Sequence, residues 1–165
     1  MKNRILTFFF VITATIVTGQ IDSGADDKTT FLGSWGIQEM KKDGELVMSV
    51  DPKEQQIIID NAWMKDSVLF LEVGKDLIVA NFKEQSETLA RVIFTFGEND
   101  MLKISPNDGE SEDVFSSYTI NEEKHEIIIE EENNDKLIYQ YLFVDDLLVL
   151  KREENDSLIF KRMKL

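Results

Sequence analysis

From Arg91 onward, apolar and polar residues alternate in short runs separated by polar punctuation. In ARVIFTF, Val92, Phe94 and Phe96 share one side, while Arg91 and Thr95 share the other. In HEIIIEE, Ile127 and Ile129 oppose Glu126, Ile128 and Glu130. In KLIYQYLF, Leu137, Tyr139, Tyr141 and Phe143 oppose Lys136, Ile138, Gln140 and Leu142. A period of two in β-branched and aromatic residues is the mark of a half-buried antiparallel strand. Similar segments at 67–73, 77–83, 101–105, 114–121, 147–152 and 157–163 predict about nine short strands after a first one in FLGSWGIQEM, Phe31 to Met40.

The connections read as hairpins. VGKDL (73–77), TINEEKHE (119–126) and FVDDLL (143–148) are short and polar. ENDML (98–102), ENNDKL (132–137) and ENDSL (154–158) each set polar Asn and Asp residues just before a new apolar run. Asn and Asp tolerate left-handed backbone and bond their own turns, so each recurrence marks a tight reversal.

One segment departs from the period of two. DPKEQQIIIDNAWMKD (51–66) offers Asp51 as N-cap, Pro52 at the first helical position and Glu54 at the third. Gln55, Ile58, Ile59, Ala62 and Trp63 follow the helical template. Three consecutive isoleucines favour a strand; the start signals and spacing favour a helix that lies across an edge or end of the sheet and buries Ile59 and Trp63.

A long antiparallel meander exposes two pairing edges unless it closes, and strands this closely spaced leave no room for the long crossovers of a sandwich. The expected fold is all-β: an up-and-down antiparallel barrel of about 8–10 strands with one short helix after the first strand.

Residues 1–19 change the picture of where such a barrel works. MKNR precedes an apolar run of about 14 residues, shorter than the roughly 20 that span a bilayer. With small residues at Val17, Thr18 and Gly19, this is the pattern of a signal peptide cut ahead of Gln20. The expected product is exported, periplasmic or extracellular, with a flexible leader over 20–30 (QIDSGADDKTT) and the barrel domain over 31–165. No cysteine exists to carry a lipid anchor or a disulfide, so packing must hold the domain together. The chain holds 18 basic and 32 acidic residues; the cut removes Lys2 and Arg4 and takes the net charge from −14 to −16. That balance repels nucleic acid and anionic membrane surfaces, and no stable membrane insertion is expected after cleavage.

Gly33-Ser34-Trp35 in the first strand, together with Phe160 and Arg162 in phase on the last, resembles the Gly-x-Trp barrels of the lipocalins and fatty-acid-binding proteins. It is most similar to the small exported lipocalin-like proteins of Gram-negative bacteria. The resemblance implies that Trp35 closes one barrel end, that Gly33 permits close backbone approach, and that Arg162 packs over the indole. It departs from animal lipocalins in lacking disulfides and a C-terminal helix, and it suggests small-ligand binding without naming a ligand.

A hollow barrel would be lined by Phe94, Phe96, Tyr118, Tyr139 and Tyr141, with Arg152 in phase with Leu148 and Leu150 and able to fix a carboxylate bidentately. In a solid barrel the same aromatics fill the core and Arg152 reaches the rim. With one histidine and no cysteine, an imidazole or thiolate zinc site is not available. His125, between Lys124 and Glu126 in a turn, sits in a surface setting for any pairing with Ser116 or Ser117. The oxygen donors of PNDGESED (106–113) match no calcium-loop spacing and read as a solvated acidic loop. The expectation is a non-enzymatic protein without cofactor or metal that binds a small apolar or amphiphilic ligand; the alternative is a solid-core interaction domain acting through its acidic surface.

Overall fold

The structure, a computed structural model, describes residues 27–131, 133, 135–153 and 155–164. The expected signal peptide and residues 20–26 of the expected leader lie outside the described residues. In chain order the elements are α1 (Asp27–Phe31), β1 (Gly33–Lys42), β2 (Glu45–Ser49), α2 (Pro52–Lys65), α3 (Ser67–Val73), α4 (Lys75–Arg91), β3 (Ile93–Phe96), β4 (Met101–Ser105), β5 (Val114–Asn121), β6 (Glu126–Glu130), β7 (Lys136–Val144), β8 (Leu147–Glu153) and β9 (Asp156–Arg162).

Each strand from β3 to β9 pairs antiparallel with its neighbour in sequence, and β1 pairs with both β3 and β9. The result is a closed eight-strand antiparallel barrel, as the alternation predicts. One feature makes β1 the hinge of that closure. Its first residues, Gly33 to Gly36, face Phe96 to Ile93 of β3, while Trp35 to Lys41 run against Arg162 to Ser157 of β9. An irregularity between Ile37 and Glu39 shifts the register, bending β1 so that its second half leaves β3 and pairs with β2 instead. At that point the Gln38 side-chain amide donates to the Ile37 carbonyl at 3.2 Å, and its own backbone carbonyl accepts from the Val50 N–H at 2.9 Å.

Two expectations are corrected. The segments 67–73 and 77–83 are helices, α3 and α4, and VGKDL joins those helices at Gly74 rather than turning a hairpin. Short apolar runs carry no period that separates strand from helix. Read on to Arg91, the second segment becomes KDLIVANFKEQSETLAR, in which half-buried Ile78, Phe82 and Leu89 and buried Ser86 recur at three- and four-residue steps. The five-residue strand β2 (ELVMS) is not among the expected strands. The helix expected over 51–66 is present as α2, with the Asp51 carboxylate accepting from the Lys53 N–H at 2.8 Å. Glu54 turns away from the cap and accepts from the buried Ser49 hydroxyl at 2.7 Å, tying α2 to β2. Ile58 and Ile59 are buried, whereas Trp63 is half-buried under the Lys75 ammonium, 4.9 Å from its ring.

The three Asn/Asp recurrences all lie where expected, ahead of β4, β7 and β9, and Asp100 takes a positive φ of 59°. The 119–126 hairpin holds a single 3-10 turn, Glu122–Lys124, capped by the Asn121 side chain.

The two ends of the barrel differ. At one, the chain from Asp27 to Phe31 is ordered as α1, where a flexible leader was expected through residue 30, and it plugs the opening. Phe31 is wholly buried, with edge-on ring contacts to Phe96 (5.3 Å), Tyr141 (4.9 Å) and Phe143 (5.0 Å). At the other end the β1–β2 and β8–β9 hairpins meet, Gly44 N–H donating to the Asn155 carbonyl at 2.8 Å. Truncating Phe31 to alanine removes the ring around which three others pack, and should cost about 3–5 kcal/mol in urea unfolding. A loss below about 1 kcal/mol would show that the plug is peripheral to barrel stability.

Candidate functional site

The plugged end is built around Trp35 and Arg162. Trp35 is buried and its indole N–H donates to the Phe31 carbonyl at 2.8 Å. The Arg162 guanidinium lies 4.4 Å from the indole centroid, donates to the Leu32 carbonyl at 3.0 Å and also bonds the Thr30 carbonyl. Cation–π stacking of this kind contributes ~0.5–2 kcal/mol. Gly33 takes a φ of +113°, which side-chain-bearing residues rarely adopt, while a Cβ there would make only an ordinary contact, 3.5 Å from an Arg162 nitrogen. Gly33, Trp35 and Arg162 are thus brought together by the register of β1 against β9, with the carbonyls of the plug completing the set.

Beside them lies a group that pattern reading missed. The Tyr141 hydroxyl donates to the buried Asp27 carboxylate at 2.6 Å, and His125 Nδ1 stands 3.6 Å from the same oxygen. The His125 ring meets Tyr141 edge-on at 5.7 Å, and His125 itself adopts a left-handed φ of 52° at the end of its turn. Lys28 pairs with Asp100 at 2.7 Å on the same end. The histidine therefore serves the plug. Of the two serines that could have joined it in catalysis, Ser117 donates to Glu130 instead. The one available signal is the four-residue step from Asp27 to Phe31, one helical turn that sets a carboxylate and a ring along one side of α1.

The expected lining residues separate into two groups. Phe96, Tyr118 and Tyr141 belong to the plugged end: Phe96 meets Tyr118 edge-on at 5.1 Å, and the Tyr118 hydroxyl donates to the Gly97 carbonyl at 2.9 Å. Their polar tips are spent on the protein. Phe94, Tyr139 and Arg152 lie farther along the barrel. Phe94 is half-buried and packs edge-on against Phe160 at 5.0 Å; Tyr139 is buried; Arg152 is half-buried. Burial pushes the Tyr139 hydroxyl pKa up, with Arg152 pulling it down and Glu131 pushing it up, which places a cation near that hydroxyl. Around them Met40, Leu89, Ile104, Leu137 and Leu158 pack on the core while remaining half-buried.

Two depressions stand out among the described residues, both open to solvent and outside the barrel wall. One of about 380 Å³ lies between β2 and α2, lined by Glu45, Leu46, Asn61, Met64 and Lys65. One of about 130 Å³ lies by the plug, lined by Lys28, Asp100, Tyr118, Thr119, Ile120 and Glu122. In the acidic loop, Asp108 is occupied by its own turn: it accepts from the Ser111 hydroxyl and from the Glu110 and Ser111 N–H groups, the hydroxyl bond first among the causes that bring its pKa to about 2. Asp113 pairs with Lys103 at 2.7 Å, which lowers its pKa.

With this geometry in hand, comparison with known proteins finds no matching family model and no matching curated protein. The closed barrel is consistent with a calycin-type architecture.

All three tyrosines of the chain are held neutral by burial, Tyr141 also by its bond to Asp27 and Tyr118 also by the Asp100 charge, so their pKa values are raised. A raised pKa means that the folded chain keeps a proton which the unfolded chain releases near pH 10. The associated stability is complete below pH 10 and is lost as pH climbs above it. Phenolate absorbance at 295 nm should therefore rise only together with loss of the folded circular dichroism signal. Free titration near pH 10 with an intact barrel would contradict this.

Proposed function

We propose that the protein is a non-enzymatic, exported, lipocalin-like barrel that binds a small apolar or amphiphilic molecule at the end opposite the plug, with Arg152 meeting a polar or anionic head group. The observation that carries this reading is the asymmetry of the barrel. One end is sealed by α1 and by tyrosines whose hydroxyls are spent on Gly97 and Asp27. Toward the other, Met40, Leu89, Phe94, Ile104, Leu137 and Leu158 are half-buried, and the half-buried Arg152 acts electrostatically on the buried Tyr139 hydroxyl. An apolar mouth with a few convergent polar groups is the usual form of a small-ligand site, and a guanidinium suits a carboxylate because it offers paired donors. Export rests on the pattern of residues 1–19 and predicts a mature chain that begins at Gln20.

A second reading has its own support. Phe31, Phe96, Tyr118, Tyr141 and Phe143 pack edge-on through the plugged half, and the two depressions lie outside the wall. A barrel solid along its whole length would act through its acidic surface on a basic partner.

Native mass spectrometry of the protein as the cell processes it, before and after denaturation, separates the two readings. Ligand binding predicts a discrete mass lost on denaturation, and displacement of a fluorescent fatty-acid probe by it. Arg152→Leu should weaken the carboxylate probe ~10–100-fold while leaving an uncharged analogue of the same chain length unaffected. A clean apo mass with no probe binding would overturn the ligand reading.

A further inference from the structure

The helical insert α2–α4 exposes an apolar face that the barrel does not use. Ile57 is 56% exposed, Met64 73%, Val68 63%, Leu71 75%, Val73 44% and Leu77 54%. Ile57 and Met64 are seven residues apart, two turns along one side of α2. Val68 and Leu71 stand about one turn apart on α3, beyond the break at Asp66 (φ −141°, ψ 66°), and Val73 and Leu77 flank Gly74 between α3 and α4. The buried positions of α2, Ile58 and Ile59, point elsewhere, so the insert has one apolar side turned inward and a second one turned out.

Size and charge together select an occupant. At those exposures the six residues, spread over three helices, together present roughly 700 Å² of mostly apolar surface, close to the ~800 Å² that each partner gives to a standard interface. The insert, residues 52–91, carries five basic and seven acidic residues, a net −2 within a chain of net −14. The remaining residues carry −12 (−14 less −2), so the insert adds only a small share of the repulsion between two copies. The insert carries both signs: Lys53, Lys65 and Lys75 alternate with Asp60, Asp66 and Asp76 along it, Lys65 pairing with Glu45 and Lys75 lying over Trp63. A surface that pairs with itself about a two-fold axis must carry both signs, because each charge meets a charge of its own patch. A lipid-binding face would instead be rimmed with cations, which a net −2 segment does not supply.

We propose that this face pairs with the same face of a second copy, forming a two-fold dimer through the helical inserts with the barrels held apart. This does not depend on whether the barrel binds a ligand. Sedimentation equilibrium of the protein as processed should show a concentration-dependent monomer–dimer equilibrium. Leu71→Glu and Val68→Glu each place a carboxylate in the apolar contact and should raise the dissociation constant at least ~10-fold with an unchanged circular dichroism spectrum. Phe115→Glu, on a barrel side chain that is also 55% exposed, should leave it unchanged. Met64→Glu on α2 serves as a further variant should either of the first two unfold. A chain monomeric up to ~0.5 mM would overturn the proposal. So would a dimer that survives the Leu71, Val68 and Met64 substitutions, or one that Phe115→Glu dissociates. Monomers that bind phosphatidylcholine vesicles, and lose this with Leu71→Glu, would assign the face to lipid and overturn it too.

Discussion

Because β1 hydrogen-bonds to β3 on one side and β9 on the other, every strand of the eight-strand wall has two neighbours and the wall has no pairing edge. An unclosed meander of this length would present two rows of unpaired N–H and C=O groups. Closure joins the first strand to the last, the most distant pairing in the sequence, and Arg162 holds that seam by stacking on Trp35 while bonding the carbonyls of Leu32 and Thr30. The same residue thus ties β9, β1 and the plug. Removing it would loosen all three at once, because each contact depends on the register that the other two maintain.

The plug follows from closure. A barrel end is an opening between strands, and an apolar core cannot be left open to water. Phe31 fills the gap with its ring, and Asp27, one helical turn earlier, needs a partner for its buried carboxylate. Tyr141 supplies a donor and His125 stands beside it. At the opposite end the β1–β2 and β8–β9 hairpins meet. Toward that end Met40, Ile104, Leu137, Leu158 and Arg152 are half-buried, and α4 packs on the core through Leu89.

The insert between β2 and β3 answers a different need. The bend in β1 carries β2 away from β3, and the chain must return to the wall to begin β3. It does so through three helices whose inner side packs on β1 and β2 and whose outer side is apolar and nearly neutral in a protein otherwise strongly acidic.

Much of this was legible in residue order. Strands β3 to β9, their Asn/Asp turns, the cap of α2 at Asp51 and the phase relation of Phe160 with Arg162 are local features: periods, caps and turn chemistry act over a few residues and leave their mark in the sequence. α3 and α4 were misread because a seven-residue apolar run fits either period, and β2 was missed because five residues beside a hairpin carry too little pattern. The Asp27–Tyr141–His125 group joins residues 114 apart, and the division of the lining aromatics between two ends depends on which strand stands next to which. No local rule encodes either. Sequence by itself determined the closed antiparallel wall, because alternation and turns over short distances leave few ways to satisfy the edges. Only the tertiary structure decided which end is sealed, since that choice rests on contacts made after the first and last strands have met.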